Sequence, residues 1–425
     1  MDILILGNGI TGITAALRLR AKQPEWNIAV ISGESTYHYS RPALMYVFMG
    51  HQSYQETKPY PDSMWAEKRI ELVRDWVTGV DVDAKSVALK KGGARRYDKL
   101  LIATGSKSNK FGWPGQDLAG VQGLYDLRDL KLLYENVKTA RHAVIVGGGL
   151  IGIELAEMLH SAGIHVTFLI REASYWRNIL PPEESAMVGR AIEQEDGLQA
   201  IYGSELAEIE DGGAGRCCAI KTKAGERIEC EIVGLTPGVS PRIELFQDTR
   251  IATGRGVLVD WSLRTNVPDV FAAGDCAELV TDGEERNVLQ QVWYTGKYQA
   301  EVAADVMAGE EREYEVGIWH NSAKFLHVEY QTYGTVPNGP RDGVDQLYWE
   351  DREREQAVRL VTEGGVIVGF NLMNVRMRHR VCERWIAERR PLEHVLAHLE
   401  EADFDPEFYR RVAPQLRAMA QGVKA

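Results

Sequence analysis

The chain has 425 residues, 44% hydrophobic and 26% charged, with a formal charge of −12. That is the make-up of a folded globular protein of roughly two to three domains, and it excludes disorder. The acidic balance argues against nucleic acid, whose binding rests on many Lys and Arg contacts to phosphate, and five cysteines without a CxxC pair exclude a disulfide scaffold.

No run of about 18 apolar residues occurs, so no transmembrane segment is expected. The opening Ile3-Leu4-Ile5-Leu6 lacks the basic flank and cleavage region of a signal peptide, and a cytoplasmic location is expected. The 41 glycines exceed the usual ~7%, and their placement carries the information. Residues 2–16, DILILGNGITGITAA, predict a short buried strand, a turn and a helix, with Gly7, Gly9 and Gly12 in GxGxxG spacing. The first glycine permits the tight turn, the second lets backbone approach a pyrophosphate, and the third allows close helix–sheet packing. The phosphate then sits at the positive end of the helix. Ile28-Ala29-Val30-Ile31 reads as the next strand. Glu34 follows it, a little beyond the usual ~20-residue spacing, as an acid able to take ribose hydroxyls.

Residues 143–156, AVIVGGGLIGIELA, repeat the device with Gly147, Gly149 and Gly152, and His165-Val166-Thr167-Phe168-Leu169-Ile170 is the following strand. Two complete fingerprints predict two dinucleotide folds in one chain. Their natural ligands are a tightly held flavin dinucleotide, FAD, and a transient nicotinamide dinucleotide, NAD(P)H. Ile170, Arg171 and Glu172 end the strand in succession. An acid selects the 2′-hydroxyl of NADH and an Arg the 2′-phosphate of NADPH, so the preference stays open.

With these motifs in view, the sequence resembles the FAD/NAD(P)-binding pyridine nucleotide-disulfide oxidoreductase superfamily. It is most similar to the rubredoxin and ferredoxin reductase, NADH oxidase and apoptosis-inducing-factor-like branch. Further motifs carry the resemblance over roughly residues 1–315. ESTYHYSRPAL (34–44) resembles the loop that places Arg41 and Pro42 near the flavin. LLIATGS (100–106), with Ala103, Thr104 and Gly105, resembles the exit from the FAD domain. WPGQDLAGV (113–121) resembles the linker, and TNVPDVFAAGDCAE (265–278) the second FAD signature. The resemblance implies that Asp275 binds the ribityl chain, that Gly274 allows close approach, and that Glu154 lies near nicotinamide and flavin. It also places Trp293 and Tyr294 beside the flavin. From the residues alone, Asp275 serves equally as a helix N-cap, and the two aromatics serve equally as core.

The implied fold is α/β, with two Rossmann-like dinucleotide-binding domains (glutathione-reductase-like), a C-terminal α+β domain and a helical tail. The expected organisation is an FAD domain of residues 1–118 and 250–315, an NAD(P)H domain of 119–249, and a C-terminal interface domain of 316–425. In the tail, Leu392, Val395, Leu396 and Leu399 recur at helical spacing, expected to pack on the core or across a homodimer rather than on a membrane.

Absent residues restrict the chemistry. Disulfide-reducing members carry cysteine beside the flavin, whereas RPALMYVFMG (41–50) has none, and the cysteines are Cys217, Cys218, Cys230, Cys276 and Cys382. The Lys that ferredoxin-type members place after Arg-Pro is replaced by Tyr46. The expected function is therefore an FAD-dependent NAD(P)H oxidoreductase without an active-site disulfide, passing hydride to FAD and electrons to a small iron–sulfur redox protein of the rubredoxin or ferredoxin kind. Hydride transfer needs no acid or base, so Glu154 is the catalytic candidate as a positioning group. The alternatives are an NAD(P)H oxidase or quinone reductase and an NADH-responsive redox-sensing dimerisation protein. An Arg-rich segment, 376–390, reads either as a docking surface for an acidic carrier or as a solvated helix face. No metal site is expected.

Overall fold

The computed structural model describes residues 1–281, 287–404 and 412–421. It divides into two compact units. The first comprises Met1–Asn109, Gly123–Glu135 and Gly238–Glu315; the second comprises Lys110–Gln122, Asn136–Pro237 and Val316–Ala425.

The first unit is organised on a five-stranded parallel sheet. Its order is Val270–Ala272, Lys99–Ile102, Asp2–Leu6, Asn27–Ser32 and Ile70–Arg74. Apart from the edge strand Ile70–Arg74, these strands are largely apolar runs, not alternating patterns, because both sheet faces are covered; Ile3, Leu4, Ile5 and Leu6 are all buried. The chain runs from Asp2–Leu6 to one neighbour first and to the other much later. The carboxyl end of that strand is therefore a topological switch point, where open α/β sheets bind ligands. Helices Ile10–Lys22 and Trp293–Met307 pack together through small residues, including Ala15, Ala16, Ala300 and Ala303.

Residues 238–249 fold with this unit although the motifs suggested a boundary at 249/250. Val239–Pro241 pairs antiparallel with Ser106–Ser108, and Ile243 and Phe246 enter the unit's core. Residues 123–135 also belong to it, across the motif-based boundary at 118/119.

The second unit has its own five-stranded parallel sheet. Its order is Leu198–Tyr202, His165–Ile170, His142–Val146, Ile232–Leu235 and Val121–Gln122. Residues 316 onward add an antiparallel sheet ordered His320–Phe325, Val328–Gly334, Val366–Met373, Gln356–Glu363 and Val344–Asp351. Helix Pro182–Gln194 is tied to this sheet by a buried pair, Arg359 Nε to Glu184 Oε1 at 2.7 Å. The tail stripe turns inward. Val395 and Leu399 are buried with Trp385, Leu360 and Phe370, and Leu392 and Leu396 pack against the same cluster. Among the described residues no helix is long and apolar enough to cross a membrane.

Candidate functional site

The turn between strand Asp2–Leu6 and helix Ile10–Lys22 is built on glycine. Gly7 has φ +114°, and a Cβ there would lie 2.1 Å from the Ala103 carbonyl oxygen; one at Gly12 would lie 1.9 Å from the Gly7 oxygen. At Gly9 nothing lies within 4 Å of such a Cβ, so this backbone faces open space. The first helical hydrogen bond runs from Ile13 N–H to Gly9 O at 3.1 Å. The N–H groups before it have no partner within the helix and stand at its positive end.

A cavity of about 280 Å³ opens at this turn. Of the residues expected from sequence, Gly7, Gly9, Glu34, Arg41, Pro42, Ala103, Thr104, Gly105, Asp275 and Trp293 line it. Gly12 and Gly274 are not among its lining residues. Gly274 has φ +78°, and its own Cβ would meet Thr11 Oγ1 at 2.3 Å, while its N–H donates to Gln299 Oε1 at 2.7 Å. That contact presses the Asp275 loop onto the head of the first helix. Tyr294 does not line the cavity; its ring lies 5.3 Å from that of Trp293.

The polar lining is tightly arranged. Glu34 Oε2 accepts from Arg41 Nη2 at 2.6 Å, and Oε1 accepts from the Leu127 N–H at 3.2 Å and from the Tyr39 hydroxyl. The Arg41 guanidinium stands 4.9 Å from the centre of the Tyr125 ring. Tyr125 in turn accepts from the Ser106 N–H at 2.7 Å and donates toward Asp275 Oδ2 at 3.5 Å. Burial pushes the Asp275 carboxyl up, opposed by hydrogen bonds from Ser106 and Tyr125 and by the Arg41 charge. His38 is held neutral by burial, its Nδ1 2.9 Å from the Asn8 carbonyl oxygen.

The second unit repeats the glycine turn. Gly147 has φ +122° and packs against Thr236, a Cβ at Gly152 would meet the Gly147 oxygen at 2.8 Å, and Gly149 has nothing nearer than Trp176 Nε1 at 3.7 Å. Helix Leu150–Ser161 starts there, its first bond running from Ile153 N–H to Gly149 O. Glu154 lies half-buried on this helix; burial and the Glu157 charge push its carboxyl up to about 7. Just past strand His165–Ile170, Arg171 and Glu172 pair with each other at 2.7 Å.

The family model described as pyridine nucleotide-disulphide oxidoreductase matches residues 1–303. The chain belongs to this family. A relative at 33% identity over 310 residues, 72% of this chain and 74% of its own, is the ferredoxin–NAD(+) reductase component of the biphenyl dioxygenase system of Paraburkholderia xenovorans (strain LB400). A rubredoxin–NAD(+) reductase of Pseudomonas putida is 29% identical, covering 65% of this chain and 72% of its own. A ferredoxin reductase from Rhodopseudomonas palustris shares the fold with a TM-score of 0.80, at 23% identity and 99% coverage of both chains.

In this oxidoreductase several lining residues were not marked by any motif. Tyr125, Asp126 and Arg128 come from residues 123–135, and Asp75, Trp76 and Arg242 from elsewhere. Arg128 pairs with Asp126 and stands 5.1 Å over the Trp76 ring, which lies against Gly33. No sequence motif marks Arg128, and only the fold brings it to Trp76. All five cysteines are free thiols. Cys276 is buried with its thiol pushed up by burial, and Cys217, also buried, is pushed up to about 11; neither environment favours a reactive thiolate. Tyr46, on the short helix Leu44–Phe48, stacks with His51 at 6.1 Å. In the Arg-rich segment, Arg376, Arg384 and Arg390 pair with Glu329, Glu401 and Glu388. Among the described residues Arg378, Arg380 and Arg389 are exposed without an ion pair, so half of the segment's arginines are paired and half face solvent.

Proposed function

We propose that this chain is an FAD-dependent NAD(P)H oxidoreductase that delivers electrons to a small iron–sulfur carrier of the rubredoxin or ferredoxin kind. The observation that carries the reading is the cavity at the first glycine turn, together with the absence of any cysteine from its lining. A dithiol relay has no member there. Likeness to the ferredoxin reductase of the biphenyl dioxygenase system supports the choice of carrier.

The residues present fit a flavin dinucleotide in the first unit. The open backbone at Gly9 and the free N–H groups of the helix start suit a pyrophosphate. Glu34 offers carboxylate oxygens at the end of the second strand, where an adenosine ribose is bound in such sheets, and Arg41 adds positive charge beside it. Asp275, brought close by Gly274, accepts hydroxyls of the ribityl chain, and Trp293 closes one side of the flavin, with Tyr294 behind it. When bound, the flavin supplies the conversion of one hydride into electrons that leave singly or in pairs.

The chain's own work is alignment and exclusion of water. The second glycine turn, with Gly147, Gly149 and Gly152, holds the nicotinamide dinucleotide, Arg171 and Glu172 lie toward its adenosine ribose, and Glu154 orients the nicotinamide. The cytoplasm is the proposed location, supported by the free thiols. Anaerobic mixing of the purified yellow protein with NADH or NADPH tests the reading. The flavin absorbance is expected to bleach rapidly with at least one of them; slow reduction by both would overturn it.

A further inference from the structure

Helix Leu150–Ser161 carries two carboxylates one turn apart, Glu154 and Glu157, and side chains at this spacing share a helix face. Strand His320–Phe325 packs on the helix and supplies the neighbouring cation: Lys324 Nζ lies 2.7 Å from Glu157 Oε1. Glu157 Oε2 is buried and has no hydrogen-bond partner. An orphaned carboxylate oxygen is costly, so it calls for a donor. Among the described residues Glu154 has neither an ion pair nor a hydrogen bond.

Nothing else nearby supplies that donor. Strands His142–Val146, His165–Ile170 and Ile232–Leu235 pack against the helix and are apolar apart from Thr167 and their first residues His142 and His165. Their own titratable groups, His142 and His165, stand at the amino ends, away from the glycine turn. Tyr175 spends its hydroxyl proton on the Gly149 carbonyl at 2.8 Å. His160 sits further along the helix, near Glu195, and His320 begins the strand that ends beyond Lys324.

We propose that Glu154 and Glu157 hold one proton between them, Glu154 donating it to the orphan Oε2 while Lys324 keeps Glu157 the anionic partner. Glu157 and Lys324 are then positioning residues for a proton store at Glu154. The proposal rests on the reading that Glu154 serves the nicotinamide step. NAD(P)H gives up a hydride, which is two electrons and one proton. Two one-electron iron–sulfur carriers remove the two electrons and no proton. One proton per turnover is therefore left over for release to water, the exchange that the carboxylate pair is proposed to serve. The carboxyl of Glu154, pushed up to about 7 by burial and by Glu157, exchanges protons at neutral pH.

Infrared pH titration of the oxidised, flavin-loaded protein, without nicotinamide, tests this. A protonated-carboxyl band is expected to titrate with a midpoint of about 7 and to vanish in Glu154→Gln. In Glu157→Gln, removal of the like charge should lower the midpoint by about one to two pH units. Lys324→Met should raise it, and Lys324→Arg, which keeps the charge, should leave it unchanged. Absence of the band from the wild type, or one midpoint shared by wild type, Glu157→Gln and Lys324→Met, would overturn the proposal. Because no NAD(P)H is present, such a failure is separate from failure of flavin reduction.

Discussion

Asp275 shows how one residue's surroundings define its use. It follows a buried strand and sits on a loop pressed onto the first helix, with Tyr125 and Ser106 at its carboxylate. It caps no α-helix. On the proposed reading, this half-buried carboxylate accepts hydrogen bonds from hydroxyls of the bound flavin. Asp275→Ala removes that acceptor without touching the strand, so the fold should survive while FAD affinity falls by at least about tenfold, the worth of one charged hydrogen bond. Flavin titration into apoprotein of the variant measures this; wild-type affinity would contradict it. Gly7 works at the same scale by having no side chain, since a Cβ would meet the Ala103 oxygen.

Helices Ile10–Lys22 and Trp293–Met307 are joined through Asp305, whose side chain is 2% exposed and meets Arg18, Lys22 and Arg312. Burial alone would raise its carboxyl; the hydrogen bonds from the three cations win and hold it well below the usual aspartate range. A depressed acid stabilises the fold above its unfolded value, near about 4, and that contribution is lost as pH falls through the folded value. Asp305→Asn should therefore cost about 3 kcal/mol at neutral pH, with the gap to wild type closing in strong acid. Urea unfolding across pH measures it, and a pH-independent gap would contradict the assignment.

Elements like these were legible in the sequence where the signal is local. Apolar runs marked the parallel strands, and glycine spacing marked both turns. The helical stripe of Leu392, Val395, Leu396 and Leu399 was legible too, but its direction needed the sheet carrying Leu360 and Phe370. The far wall of the cavity was not legible. Trp76, Arg128 and Arg242 are distant in sequence and line one cavity only because residues 123–135 and 238–249 return to the first unit.

Across the whole chain the same glycine device appears twice, once in each parallel sheet, and no cysteine lines the cavity. Two dinucleotide sites without a thiol relay make a protein that takes a hydride and must release electrons to something outside itself. The most direct measurement is anaerobic two-step mixing. The protein is first reduced with one equivalent of NADH or NADPH, then mixed with oxidised rubredoxin or ferredoxin, with a quinone, or with oxygen. Flavin absorbance should return fastest with an iron–sulfur carrier, in step with reduction of two carrier molecules per flavin. Return with oxygen or quinone alone, unaltered by either carrier, would contradict the account.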